Sequence, residues 1–219
     1  LASFSRKFTN RLNLKTDVDI RVSQPKYGFI SERKYILREV IRLRDMLINF
    51  TDGEDSVNLK SAFIPNTRVQ IYFTESEKYF KPTSELLYKS KNGRPYKDND
   101  FKFAFFSKVA LETIKRLFWQ PDLIVCNDWQ MPYVPMLLKN IYNDDDYYKG
   151  IKTVFILHSI NDYKFVSNEF YEYVGLTPPS SKIDNIEQAI KFSDYLIVID
   201  DEKKTMQKKF NKAKNLLSV

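Results

Sequence analysis

The chain has 219 residues, 43% of them hydrophobic and 29% charged, with a formal net charge of +7. That length accommodates one large domain or two small ones, and 17 Phe and 14 Tyr are enough to fill a sizeable core. One cysteine excludes an intrachain disulfide and a cysteine-based metal cage, the five scattered glycines exclude a dinucleotide fingerprint or a P-loop, and no apolar run is long enough to span a membrane.

Residues 1–13 carry Leu1, Phe4, Phe8 and Leu12 at helical spacing. A short strand is expected over Val18–Val22, ended by a turn at Gln24–Gly28. Tyr35–Leu43 reads as a strand, and the polar stretch Asn49–Asp55 as a loop. Leu59–Ile64 and Val69–Phe73 read as two strands of a hairpin joined across Pro65-Asn66-Thr67. A loop-rich stretch, Lys81–Asp100, leads into a long helix over Asp100–Phe118. From there the alternation is regular. Strands are expected at Leu123–Cys126, Ile151–Leu157 and Tyr195–Ile199. Helices are expected at Met131–Tyr142, Ile183–Phe192 and Asp201–Leu217, with an acidic loop at Asn143–Tyr148 and mostly loop over Asn161–Ser181. Strand-helix repetition of this kind predicts an α/β fold with a Rossmann-like, doubly wound, mostly parallel sheet and an early antiparallel hairpin. No linker divides the chain, so one domain over residues 1–219 is expected. The chain opens on Leu1 rather than Met and is expected to be a fragment or a processed product.

The stretch with most chemistry is Pro121–Gln130. Four apolar residues, Leu123 to Cys126 without Pro or Gly, suggest a strand buried on both faces. Its carboxyl end delivers Asn127, Asp128, Trp129 and Gln130 to the rim where open α/β sheets bind ligands. The next strand delivers His158, the only histidine. If the two strands are neighbours, about 5 Å apart, Asp128 and His158 share one crevice. A histidine there exchanges hydrogen bonds with sugar or phosphate oxygens near neutral pH; it could equally cap the strand. Asp128 could instead cap the following helix, and Trp129 could be a lid on the core rather than a sugar platform. Cys126 reads as inert. Asp144-Asp145-Asp146 lacks the glycine and distal glutamate of a calcium loop. Lys203, Lys204, Lys208, Lys209, Lys212 and Lys214 decorate a helix whose apolar positions are Met206, Phe210 and Leu216. A solvated amphipathic face explains them, so a nucleic-acid partner is not expected.

Several segments resemble, in order, the glycogen and starch synthase family. Pro121–Gln130 with Val134-Pro135 is similar to its "PDI(V/I)HxHDW(Q/H)…xxLxP" element, and Tyr96–Phe103 to "YxDNxxRF". Lys152–His158 resembles "TVFTIHN", and Pro25-Lys26-Tyr27-Gly28 matches "PxYG". Tyr79-Phe80 with Leu87-Tyr88 and Ala189–Asp194 fit further pieces. The resemblance implies the N-terminal, acceptor-side half of a GT-B glycosyltransferase with two Rossmann-like domains. Such enzymes transfer glucose from ADP-glucose, sometimes UDP-glucose, to the non-reducing end of an α-1,4-glucan, with retention, without a metal and with no cofactor. It places His158 and Asp128 at the transferred glucose and Trp129, Gln130 and Asn127 on the wall. Tyr96 and Asn99 fall on positions lining the same cleft. The family's "KTGGL" loop and C-terminal donor-binding domain are not in this sequence. Asn127 stands for a histidine, Ser159 for an asparagine, Tyr163-Lys164-Phe165 for "YQG", and Ile199-Asp200-Asp201 for "VSPxY". The 219 residues alone are therefore expected not to turn over, in a cytoplasmic setting; a non-catalytic glucan-binding or regulatory relative is the alternative.

Overall fold

A computed structural model of the chain describes residues 2–15, 17–81, 86–159, 165–166, 168–178, 183–199, 205–213 and 216–217. The backbone divides into two compact units: Leu1–Asn49 with Gly53–Lys102, and Phe50–Asp52 with Phe103–Val219.

In the first unit, helix α1 (Ala2–Asn13) brings Phe4 and Phe8 one turn apart, with stacked rings 5.8 Å between centroids. Strand β1 (Arg21–Pro25), helix α2 (Glu32–Tyr35) and strand β2 (Arg38–Glu39) follow, then a 3-10 turn at Ile41–Leu43. Strands β3 (Met46–Phe50), β4 (Gly53–Val57), β5 (Leu59–Phe63) and β6 (Gln70–Thr74) complete the series. A four-stranded sheet has the order β1-β6-β5-β2, with β1 parallel to β6 and the β5–β6 and β5–β2 pairs antiparallel. The expected hairpin across Pro65-Asn66-Thr67 is the β5–β6 pair. Asn66 takes the left-handed conformation there (φ 62°), which its short polar side chain tolerates.

Three expectations in this unit are corrected. The first strand runs three residues later than Val18–Val22, because Arg21 to Pro25 register against Gln70 to Thr74. Pro25 is accommodated because β1 is an edge strand. Tyr35–Leu43 is not one strand. Ser31 caps α2 by accepting from the Lys34 N–H at 3.2 Å, and only Arg38 and Glu39 pair with β5. Asn49–Asp55 is not a loop, since β3 and β4 pair across Thr51-Asp52. A two-residue link joins only antiparallel neighbours. Met46, Ile48 and Phe50 point inward while Leu47 and Asn49 point out.

Helix α3 (Asn99–Arg116) begins in the first unit and belongs to the second from Phe103 onward. The second unit continues with β7 (Leu123–Asn127), α4 (Tyr133–Asn140), a 3-10 turn at Asp146–Tyr148 and β8 (Lys152–Leu157). Then come β9 (Phe165–Val166), α5 (Asn168–Val174), β10 (Ile183–Asp184), α6 (Asn185–Phe192), β11 (Tyr195–Val198) and α7 (Thr205–Phe210). Its sheet has the order β11-β8-β7, all parallel, as the strand-helix alternation predicts. The middle strand is the most buried: Val154, Phe155, Ile156 and Leu157 are all in the core. Burying a side chain of that size contributes roughly 1.5–3 kcal/mol. β7 lies at one side of the three, and Leu123 is 45% exposed, so β7 is not buried throughout.

Polar groups hold the other end of β8. Asp194, just before β11, accepts from the Thr153 N–H at 2.9 Å and the Thr153 hydroxyl at 3.2 Å. Burial raises the Asp194 pKa, but these bonds, with Lys139 and Lys152 at 3.5 and 3.4 Å, leave it below the usual carboxylate range. The acidic loop is likewise structural: Asp145 caps the 3-10 turn through the Tyr147 N–H and pairs with Lys115, and Asp146 pairs with Lys149. Helix α6 starts at Asn185 rather than Ile183, because Asp184 accepts from the Ile186 and Glu187 N–H groups.

The long terminal helix is also corrected. It spans Thr205–Phe210, and beyond it Leu216 bridges in parallel to Leu196 of β11, with the Leu217 N–H on the Leu196 carbonyl at 2.8 Å. Met206 and Phe210 are buried and Lys208, Lys209 and Lys212 exposed, the pattern of an amphipathic face. Lys203, Lys204 and Lys214 lie outside the described residues, as do Tyr163 and Lys164.

Candidate functional site

The parallel register puts the ends of β7 and β8 side by side. Asn127, the last residue of β7, is opposite Ile156. Asp128 then donates its N–H to the Ile156 carbonyl at 2.7 Å and turns the chain with φ 64°, in the left-handed region. Aspartate is among the few residues with a side chain that adopt this conformation readily. Its own carbonyl accepts from the Met131 N–H at 3.0 Å, closing the turn.

The turn points the Asp128 side chain across the sheet edge to β8. Oδ1 accepts from the His158 N–H at 3.1 Å and the Ser159 N–H at 3.2 Å, and Oδ2 accepts from the Ser159 hydroxyl at 3.3 Å. Asp128 is 5% exposed. The two groups singled out from sequence, Asp128 and His158, are thus brought together at the carboxyl edge of one sheet. Burial pulls the His158 imidazole below its ordinary pKa, and the Asp128 carboxylate opposes that shift. The imidazole is therefore mostly neutral at pH 7, able to donate from one nitrogen and accept at the other.

The helix-cap reading of Asp128 is corrected. Helix α4 begins at Tyr133, its N-cap is Pro132, and no side chain caps it. Asp128 caps the exit of β8 instead. Trp129 is buried and packs edge-to-face on Phe103, with centroids 5.5 Å apart. Asn127 and Gln130 are half-buried, and the Asn127 Oδ1 and Gln130 Oε1 atoms meet no hydrogen-bond donor among the described residues. Tyr96 and Asn99 belong to the first unit. There Asn99 is buried and donates through Nδ2 to the Tyr88 carbonyl at 2.9 Å, and the Lys102 ammonium lies 5.2 Å from the Tyr96 ring centroid. Burial lowers the Lys102 pKa against the opposing pull of Asp98. Burial also holds the Cys126 thiol up at about 12. Among the described residues no group of three or more His, Cys, Asp or Glu side chains could hold a metal ion. No helix among them is long and apolar enough to cross a membrane.

Sequence reasoning did not assign Ser159 a role. Its signal was present: a hydroxyl directly after the strand-end histidine is within reach of whatever the neighbouring strand end presents.

A Rossmann-like parallel sheet with a carboxylate and an imidazole at its carboxyl edge is the usual ligand-binding arrangement of open α/β folds. Comparison with known proteins gives it a family. The family model described as the starch synthase catalytic domain matches residues 1–211, and the chain belongs to that family. The glycogen synthase of Pelodictyon phaeoclathratiforme is 38% identical over 160 residues, 73% of this chain and 32% of the relative. That of Chlorobaculum parvum is 31% identical over 201 residues, 89% of this chain and 41% of the relative. The chain thus spans 32% to 41% of the length of these relatives. The solved catalytic domain of starch synthase IV from Arabidopsis thaliana, bound to ADP and acarbose, superposes with a TM-score of 0.68 at 21% identity. It covers 91% of this chain and 43% of that structure, and it establishes the fold shared with a GT-B glycosyltransferase.

Proposed function

We propose that this chain supplies the acceptor-side wall of a glucosyltransferase that moves glucose from ADP-glucose to the non-reducing end of an α-1,4-glucan, with retention. The observation that carries this reading is the Asp128–His158 pair, joined by the 3.1 Å bond from the His158 backbone N–H to the Asp128 carboxylate, whose charge also acts on the imidazole. A mostly neutral imidazole beside a carboxylate suits the hydroxyls of a glucosyl unit. The carboxylate accepts a hydrogen bond from a sugar hydroxyl and offsets positive charge that develops at the sugar carbon. Relatives that bear the name glycogen synthase, and a structural neighbour that holds ADP and acarbose, support the choice of donor and acceptor. Asn127, Trp129 and Gln130 shape the wall beside Asp128; Tyr96 and Asn99, in the first unit, are separately assigned to substrate binding.

The matched relatives are more than twice as long as the part this chain covers, and we assign donor binding to a part outside these residues. The test is transfer of labelled glucose from ADP-glucose to glycogen, first by these 219 residues and then by the whole reading frame. The 219 residues are expected to be silent and the whole protein active. Asp128→Ala and His158→Ala in the whole protein should each lower kcat by about 10²–10⁴-fold. Full activity of both variants would overturn the assignment.

A further inference from the structure

A carboxylate has about four lone-pair positions, two on each oxygen. At Asp128, Oδ1 takes the His158 and Ser159 N–H groups and is full, while among the described residues Oδ2 takes only the Ser159 hydroxyl, at 3.3 Å. One acceptor position therefore remains, on Oδ2. The two amides come with the backbone and would serve any residue at position 159. The hydroxyl is the single donor in this set that the identity of residue 159 decides. An aspartate's terminal torsion is soft, so two bonds to one oxygen leave the other free to swing, and a third bond to the second oxygen stops it.

We propose that Ser159 is a positioning residue: its hydroxyl fixes the plane of the Asp128 carboxylate and leaves a single Oδ2 position for one hydroxyl of the bound sugar. This rests on the reading of Asp128 as the carboxylate that touches the glucosyl unit. With the hydroxyl removed, Oδ2 has two open positions, its charge is less compensated, and its direction is no longer set.

His158 is the only histidine in the chain, so one imidazole C–H signal in a proton NMR titration reports this corner without ambiguity. Among the described residues Asp128 is the carboxylate acting on it. In the 219-residue protein, Ser159→Ala should move the His158 titration to higher pH, because a less compensated carboxylate holds the imidazolium more strongly. Ser159→Thr, which keeps the hydroxyl, should restore it, and Asp128→Asn should move it to lower pH. An unmoved titration in a folded Ser159→Ala protein overturns the proposal, as does failure of Ser159→Thr to restore it. If Ser159→Ala does not fold, Ser159→Cys, whose thiol is a much weaker donor, decides. Its His158 titration should also move to higher pH, and an unmoved titration would overturn the proposal. In the active whole protein, Ser159→Ala should lower kcat about tenfold, the equivalent of one hydrogen bond, with KM little changed. The NMR arm needs no turnover. Normal titration shifts without any transfer would therefore strike the proposed function and leave the positioning role of Ser159 standing.

Discussion

Replacement of Asp128 separates two contributions that the structure places on one residue: a left-handed backbone at φ 64° and a carboxylate with three donors. Asp128→Ala removes all three acceptor contacts and leaves the His158 and Ser159 N–H groups without partners in a site that is 5% exposed. The three bonds are long for charge-assisted ones, so about 1 kcal/mol each is a fair value. Alanine adds a left-handed strain of about 1–2 kcal/mol, for a total of about 4 kcal/mol. Asp128→Gly loses the same bonds without that strain. Its greater freedom when unfolded takes back about 0.4–1 kcal/mol, so it should be milder than alanine by about 0.5–1 kcal/mol. Asp128→Asn keeps both the backbone tolerance and an oxygen for the two amides, and costs about 1 kcal/mol. Both tryptophans, Trp119 and Trp129, lie in the second unit, so their fluorescence in urea follows the unfolding of that unit alone. With a slope near 2 kcal/mol per M, the midpoint should fall by about 2 M for alanine and about 0.5 M for asparagine, with glycine between. Glycine falling below alanine would refute the backbone half of the reasoning. Alanine falling no further than asparagine would refute the hydrogen-bond half.

Three further outcomes are expected. The folded-state pKa of His158 is lowered, so the unfolded chain binds its proton first, and this residue makes stability fall as pH drops below about 6.5. His158→Asn should flatten that part of the pH profile of the urea midpoint, and an unchanged profile would contradict the burial assigned to the ring. The Asp194 pKa is also lowered, so its contribution is complete above the ordinary carboxylate range near 4 and is lost as pH falls through the folded-state value. Asp194→Ala should cost about 2–4 kcal/mol at pH 7 by leaving the buried Thr153 N–H and hydroxyl unpaired, and calorimetry that shows under 1 kcal/mol would sink this account. Phe155→Ala, at a fully buried position in the middle strand, should cost about 3–5 kcal/mol by the same measurement.

What was legible in the sequence is what contiguous apolar runs encode. β7, β8 and β11 were all placed within a residue or two, and so was α3, because each is long enough for its period to show. The β3–β4 hairpin was missed because Gly53-Glu54-Asp55-Ser56 is polar and mostly exposed, so its strand character comes from pairing with β3 rather than from its own side chains. α2 and β2 are too short for any periodicity, and the tail's return to β11 through Leu216 is a long-range contact with no local signal. At the site, the pairing of Asp128 with His158 was legible from two strand ends. The carboxylate's true partners were not: a helix cap was the local reading, and a backbone turn at φ 64° sends the side chain across to β8 instead.

Strand β8 is fastened by acids of opposite ends of the unit's sequence, Asp194 on Thr153 at its start and Asp128 on His158 and Ser159 just past its finish. A strand clamped in this way has no fraying end from which to unzip. Its inner amides, from Val154 to Leu157, should exchange with solvent only when the whole unit opens. The site's geometry and the unit's core should therefore give way together, in a single cooperative release.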